Sequence, residues 1–304
     1  MTASTHVAVV GLGSMGLGMA RSLLRAGHTV SGCDISEAAL GSLEAAGGSP
    51  FTTPAAAMRD AGIVVVVVIN AAQTEAVLFG PEGAVAALTP GSVVISSATI
   101  SPAEAKEFAR RAGEHGVLYL DAPISGGSVK ADAGALTFMA SGSPESFAAA
   151  RPALDAMAAT VYELGDDVGI GSSFKIVNQL LAGVHIAVAC EAITFAKSLG
   201  LDISRVFDVI TKSAGNSWMF ENRIPHVVAG DYTPHSAVSI FTKDLGIVSD
   251  IGRQRKFPLP IASAALQLFV MTEAAGMGRD DDSSVARLLA SIAGLQLPGM
   301  DKEA

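Results

Sequence analysis

The sequence is poor in cysteine, in aromatic residues and in charge, and each scarcity closes off a class of protein. Its two cysteines, Cys33 and Cys190, stand far apart, one ending a strand-like run and the other inside a helical run. That argues against a disulfide framework and for a reducing, cytoplasmic setting. Aromatic residues make up 5% of the 304 residues although 50% are hydrophobic, so Ala, Val, Leu, Ile and Met are expected to pack the core. Only 16% of residues are charged, with 29 Asp and Glu against 20 Lys and Arg, a net charge of -9. No basic cluster offsets that balance, so neither nucleic acid nor an anionic membrane is expected as a partner. The longest aliphatic run, Ile63 to Ile69, falls far short of the ~20 residues of a membrane span and reads as a central parallel strand buried on both faces. No basic segment followed by an apolar stretch precedes the first strand, so no secretory leader is expected. The histidines, His6, His28, His115, His185, His226 and His235, show no ligand spacing with cysteine or acids, and no metal site is expected.

What the chain does have is glycine in one informative arrangement. The apolar run Val7 to Val10 breaks into Gly11-Leu12-Gly13-Ser14-Met15-Gly16, continues as a helix-like stretch to Ala26, and resumes as Val30 to Cys33 before Asp34 and Ile35. Strand, glycine turn, helix, strand and acid in that order describe a pocket for a dinucleotide. Gly11 makes the tight turn, Gly13 lets the backbone approach a pyrophosphate, and Gly16 brings helix close to strand. The helix N-terminus offers free N–H groups and a partial positive charge to the phosphates. Asp34 follows Gly16 at close to the ~20-residue spacing expected of an acid that holds a ribose 2′-hydroxyl. A carboxylate there repels a 2′-phosphate, so NAD is the expected cofactor rather than NADP.

Strands and helices then alternate in the rhythm of a doubly wound, Rossmann-type α/β sheet, expected over residues 1–165. Helices are expected over Glu37 to Ala46, Gln73 to Phe79, Pro102 to Glu114 and Pro144 to Met157. Ser101 as N-cap, Pro102 at the first helical position and Glu104 mark one of those starts clearly. Strands at Val117 to Leu120, Leu136 to Ala140 and Val161 to Leu164 are expected to extend the sheet. Residues 166–304 read as an all-α C-terminal domain opening on a long interdomain helix at about 171–199. Breaks in its later helices are expected at Gly215, Pro225, Gly230, Pro234 and the pair Pro258 and Pro260. No repeat or low-complexity linker separates the domains, and a close interface between them is expected.

Two segments carry candidate chemistry. The loop Asp121-Ala122-Pro123-Ile124-Ser125-Gly126-Gly127 leaves the carboxyl end of a strand, where open α/β sheets bind ligands. Ser125 offers a hydroxyl, and Gly126 and Gly127 let backbone N–H groups face a carboxylate. A plain turn accounts for that segment equally well. Lys175 lies near the start of the long helix with Asn178 and Gln179 on the same face, among apolar neighbours. A partly desolvated lysine facing a positively charged nicotinamide has a lowered pKa and serves as a base.

In these residues the chain resembles the β-hydroxyacid dehydrogenases, the group that includes 3-hydroxyisobutyrate dehydrogenase, tartronate semialdehyde reductase and, more distantly, 6-phosphogluconate dehydrogenase. The matching blocks are Gly11 to Gly16, Asp121 to Gly127, Lys175 with Asn178, and Lys243-Asp244-Leu245. The chain is similar above all to the branch of bacterial L-threonate dehydrogenases, in Asn70 to Gln73, Leu180 to His185, Gly215 to Arg223 and Asp231 to Ser236. The resemblance implies NAD-dependent oxidation of a sugar acid at its C2 hydroxyl, with substrate between the domains. It makes Lys175 catalytic, puts Ser125, Gly126, Gly127, Asn178 and Gln179 on the substrate, and adds Asn70, Thr99 and Lys243 to the cofactor residues Gly11, Leu12, Gly13, Ser14, Met15, Gly16, Asp34 and Ile35. Gln179 stands where many relatives have Asn, and Lys130 where the wider family has glycine. A role for Lys130 on the substrate carboxylate competes with a solvated surface lysine, and Trp218, Phe220 and Asn222 either close the cleft or pack in the helical core. A homodimer or homotetramer is implied. The alternatives are an enzyme for a shorter hydroxyacid, such as 3-hydroxyisobutyrate or glycerate, and a non-catalytic NAD-binding module.

Overall fold

The computed structural model describes residues 4–81 and 83–300. The chain forms two compact units, Met1–Lys175 and Ile176–Ala304. In the first, six strands form one parallel sheet: β1 (His6–Val10), β2 (Thr29–Cys33), β3 (Ser49–Phe51), β4 (Ile63–Val66), β5 (Val93–Ser96) and β6 (Leu118–Asp121), in the order β3-β2-β1-β4-β5-β6. Side chains alternate across a strand, so Val7, Val9, Ile63, Val65, Val93 and Ile95 enter one core while Ala8, Val10, Val64, Val66 and Val94 enter the other. Both faces are therefore covered by helices, as a parallel sheet requires.

The helices of this unit are α1 (Gly16–Arg25), α2 (Glu37–Ala45), α3 (Pro54–Met58), α4 (Ala71–Phe79), α5 (Pro102–Gly113), α6 (Gly127–Asp132) and α7 (Pro144–Met157). The start of α5 is a capping box: Ser101 Oγ accepts from Glu104 N–H at 3.2 Å, and Glu104 Oε2 accepts from Ser101 N–H at 2.8 Å. Two elements lack a clear sequence pattern. β3 contains Pro50, which is tolerated because β3 is an edge strand paired only with β2. α3 is a single turn or so, capped by Thr53.

Of the strands expected to extend the main sheet, the one at Val117 to Leu120 does so as β6, whereas those at Leu136 to Ala140 and Val161 to Leu164 do not. β7 (Ile124–Ser125), β8 (Leu136–Ala140) and β9 (Ala158–Glu163) form a separate three-stranded sheet, with β7 antiparallel and β9 parallel to β8. The break comes at Pro123, which has no N–H to give a continuing ladder, and the junction with β6 is an isolated bridge between Asp121 and Ser141.

α8 (Ile170–Ser198) runs on across the boundary between the units. By length and composition it is long and apolar enough to cross a membrane. Its Ile186, Cys190 and Ile193 are fully buried in the core of the second unit, as in a core helix of a globular protein. That unit continues with α9 (Ile203–Ile210), α10 (Trp218–Ala229), α11 (Val238–Arg255), α12 (Pro260–Thr272) and α13 (Val285–Ile292). Pro225 does not break the chain; it lies inside α10. A proline there costs about 3 kcal/mol, and the flanking Ile224 and Val227, both fully buried, hold the helix together. Gly230 does end α10, in the left-handed conformation.

Candidate active site

The strand order changes direction between β1 and β4, which is where a doubly wound sheet opens a crevice at its carboxyl ends. The glycine turn follows β1 at that point. Gly11 has φ +93°, and a Cβ on it would lie 2.5 Å from the Val67 carbonyl oxygen; a Cβ on Gly16 would lie 1.8 Å from that of Gly11. Neither position has room for a side chain. A Cβ on Gly13, by contrast, would meet nothing within 4 Å, leaving its backbone open to a phosphate. Ser14 is exposed, and Met15, the residue before α1, gives the helix no side-chain cap, which suits an outside acceptor such as a pyrophosphate.

Asp34 stands at the end of β2. Its Oδ2 accepts from Leu12 N–H at 2.6 Å and its Oδ1 from Ser36 N–H at 2.8 Å, so it braces the glycine turn from the side. Each oxygen retains a lone pair for a ribose hydroxyl. The neighbouring Ile35 is fully exposed, an apolar side chain available to lie against a flat ring. Asn70 is the N-cap of α4, its Oδ1 accepting from Gln73 N–H at 2.9 Å. Thr99 is half-buried in the segment that follows β5. These residues and their steric fit accommodate NAD: open backbone at Gly13, an uncapped helix start, an apolar surface at Ile35 and a carboxylate at Asp34.

Lys175 lies in the second turn of α8, 8% exposed, and its Nζ donates to the carbonyl oxygen of Ile124 at 2.8 Å. The amine is thereby held beside the loop of Ser125, Gly126 and Gly127. Gly126 and Gly127 have φ of +142° and +79°, values that favour glycine. The start of α8 is in turn fastened by Asp121, at the end of β6. One of its oxygens accepts from Ser172 N–H at 2.8 Å and Gly169 N–H at 3.0 Å, the other from Ser172 Oγ at 2.7 Å. Burial pushes the Asp121 carboxyl up, and the hydrogen bonds from Ser172 and Gly169 pull it back.

Within the second unit, Asn178 Nδ2 donates to Gln179 Oε1 at 2.9 Å, Gln179 Nε2 donates to Asp244 Oδ2, and Lys243 Nζ pairs with Asp244 Oδ1 at 2.5 Å. Among the described residues no group of three or more His, Cys, Asp or Glu side chains could hold a metal ion.

Comparison with known proteins places this architecture. Residues 6–165 match the family described as the NAD binding domain of 6-phosphogluconate dehydrogenase, and residues 169–289 that described as the NAD-binding domain of NADP-dependent 3-hydroxyisobutyrate dehydrogenase. The chain belongs to the 3-hydroxyisobutyrate dehydrogenase-like family. It is 51% identical to the L-threonate dehydrogenase of Cupriavidus necator over 97% of this chain and 99% of that one, and 48% identical to the L-threonate dehydrogenase of Escherichia coli K12 over 97% of each. A crystal structure of 3-hydroxyisobutyrate dehydrogenase from Salmonella typhimurium superposes with a TM-score of 0.90 at 48% identity, covering 94% of this chain and all of that one.

Membership of the 3-hydroxyisobutyrate dehydrogenase-like family makes the protein an NAD-dependent hydroxyacid dehydrogenase acting on a CH–OH group. Its first unit brings the glycine turn, Asp34, Asn70, Thr99, the Ser125 loop and Lys175 to the carboxyl ends of the strands. Of the other candidates, Lys130 is exposed with its stem beside the Ser125 loop, where a Cβ on Gly126 would lie 3.0 Å from Lys130 Cδ, and in the second unit Phe220 is buried, stacked on Phe207 with ring centroids 6.1 Å apart. Trp218 is 55% exposed rather than packed in the core, and Asn222 Oδ1 accepts from Arg223. Sequence reasoning gave no role to Asp121 or Asp244. Both sit inside blocks that matched the family, but their partners, Ser172 and Gln179, are distant in the chain.

Proposed function

We propose that the enzyme oxidises the C2 hydroxyl of L-threonate to the corresponding 2-keto acid, with Lys175 as general base in that direction and general acid in the reverse. The observation that carries the chemistry is the buried Lys175 amine, hydrogen-bonded to Ile124 O beside the Ser125 loop. Five curated relatives named L-threonate dehydrogenase, 46% to 51% identical over most of the chain, support the substrate.

Gly11 to Gly16 hold the pyrophosphate, Asp34 and Ile35 the adenosine, and Asn70, Thr99 and Lys243 complete the cofactor contacts. The carboxylate end of the acid is held by Ser125 and the amides of Gly126 and Gly127. Asn178 meets a hydroxyl of the polyol. When bound, NAD supplies the hydride acceptor. As the neutral amine, Lys175 Nζ takes the C2 hydroxyl proton; as the ammonium, it returns a proton to the carbonyl oxygen in reduction. Positioned proton transfer of this kind contributes about 10²–10⁴ in rate.

The functional setting we infer is cytoplasmic and homo-oligomeric. The exposed Leu181, Val188, Phe195 and Leu199 of α8 form an apolar stripe suited to a second copy, and sedimentation analysis tests that state.

The substrate is tested by NADH formation with L-threonate, 3-hydroxyisobutyrate and glycerate. We expect the highest kcat/KM with L-threonate. A second reading, 3-hydroxyisobutyrate, is favoured by the name of the Salmonella protein. A higher kcat/KM with that acid replaces the first reading, and no turnover with any acid removes both.

A further inference from the structure

Gln179 and Asp244 are both buried within the second unit, 6% and 1% exposed. A buried carboxylate needs partners, and Asp244 has two: the Gln179 amide, which donates to Oδ2, and the Lys243 ammonium, ion-paired with Oδ1. An ionised carboxylate only accepts. The Gln179 amide is therefore fixed with its nitrogen toward Asp244, since the flipped amide would set oxygen against oxygen. Its Oε1 is left for the other side, where it accepts from Asn178 Nδ2 at 2.9 Å. The same logic passes along one residue: Asn178 has spent an N–H on Gln179, so its Oδ1 is the acceptor it can offer elsewhere. One carboxylate orients two amides in series.

We propose that Gln179 is a positioning residue rather than a substrate ligand, and that Asp244, acting through it, turns the Asn178 Oδ1 into a fixed acceptor for a hydroxyl of a polyhydroxy acid. This rests on the reading above that Asn178 meets the substrate. It gives the glutamine a reason: its extra methylene, compared with the asparagine of many relatives, supplies the reach from α8 to Asp244 on α11. It also makes the pair a determinant of specificity. A hydroxyl donated to Asn178 is available only from an acid that carries one beyond the reacting C2 group, and a short hydroxyacid without it gains nothing from the oriented amide.

The test is steady-state kinetics of the full-length enzyme and its Gln179→Asn and Asp244→Asn variants on two acids, L-threonate and its 3,4-dideoxy analogue 2-hydroxybutanoate, which has no hydroxyl beyond C2. The shorter side chain of Gln179→Asn cannot span to Asp244. In Asp244→Asn the new amide can face Gln179 with either end. Gln179→Asn is expected to lose about tenfold in kcat/KM on the hydroxyl-bearing acid, the worth of one ordinary hydrogen bond, with the deoxy acid unchanged; Asp244→Asn, which also takes the ion-pair partner from the cofactor residue Lys243, is expected to lose about tenfold more on the hydroxyl-bearing acid than on the deoxy acid. Loss of the same factor on both acids, which is what a merely structural role gives, overturns the proposal, as does an unchanged ratio. If the wild-type enzyme oxidises neither acid, the functional reading fails by itself, and side-chain amide NMR of isotope-labelled protein decides the strut. Slow exchange of an Asn178 amide proton that becomes fast in Gln179→Asn supports it, and fast exchange in the wild-type protein overturns it.

Discussion

Replacing Asp121 by alanine removes the carboxylate that receives the start of α8. Four donors lose their acceptor: Ser172 N–H at 2.8 Å, Ser172 Oγ at 2.7 Å, Gly169 N–H at 3.0 Å and, at a longer 3.5 Å, Ser141 Oγ. Each buried donor left unsatisfied costs about 1–3 kcal/mol, and the Ser172 hydroxyl can rotate to recover part of its share. Against this stands the cost of keeping a carboxylate buried, visible in the raised Asp121 pKa, which the alanine variant no longer bears. The balance is a loss of about 2–4 kcal/mol, read from denaturant midpoints. Asp121→Asn keeps one acceptor oxygen and is expected to lose about half as much. The effect also reaches activity, because Lys175 follows Ser172 by less than one helical turn. A loosened α8 start lets Nζ leave the Ile124 carbonyl, so kcat falls by about tenfold or more while NAD binding is kept. Stability within about 1 kcal/mol of wild type, together with unchanged kcat, would refute the reasoning.

Asp34→Ala is expected to raise the use of NADP relative to NAD by about tenfold, and to lower stability through the lost bonds to Leu12 and Ser36; an unchanged cofactor ratio in kcat/KM contradicts its role. In the second unit, Arg223 Nε pairs with buried Asp282 at 2.6 Å, so Arg223→Met, which strands that carboxylate, should cost about 3–5 kcal/mol. Burial pushes Asp282 up to about 6, with Arg223 pulling it down. Its folded pKa lies above the usual 3.8, so stability is lost as pH rises through about 6 and the group charges. His226 acts in the same direction: the hydrogen bond to Asp281, 3.0 Å away, raises its pKa above 6.5, and that stabilisation is complete below pH 6.5 and lost as pH rises through the raised value. Burial alone would raise Asp281, but the hydrogen bonds from His226 and Ser283 outweigh it and hold the group at about 2, so its contribution is lost only toward strong acid. Thermal midpoints should therefore fall between about pH 5 and pH 8, and a midpoint that rises over that range contradicts the assignment.

Local patterns were legible where the determinants are neighbours in the chain. The capping box at Ser101, the steric roles of Gly11 and Gly16, and the two-faced burial of the start of the run Ile63 to Ile69 all follow from short stretches, although that strand stops at Val66 and Ile69 is exposed. The errors arose where distant packing decides. Pro50 is admitted because β3 is an edge, Pro225 because α10 is held by buried neighbours, and β8 and β9 leave the main sheet because the chain turns at Pro123. The candidate site divides the same way. Its glycines, Asp34 and Lys175 stand out by type and spacing, whereas the roles of Asp121 and Asp244 exist only once β6 meets the start of α8 and α8 meets α11.

The central claim is that one buried amine handles the hydroxyl proton. Lys175→Ala, assayed for NADH formation on the wild-type enzyme's best acid alongside a direct titration of NAD binding, tests it most directly. The account predicts a fall in kcat of about 10²–10⁴ with NAD affinity retained. Turnover near the wild-type rate in that variant would contradict it.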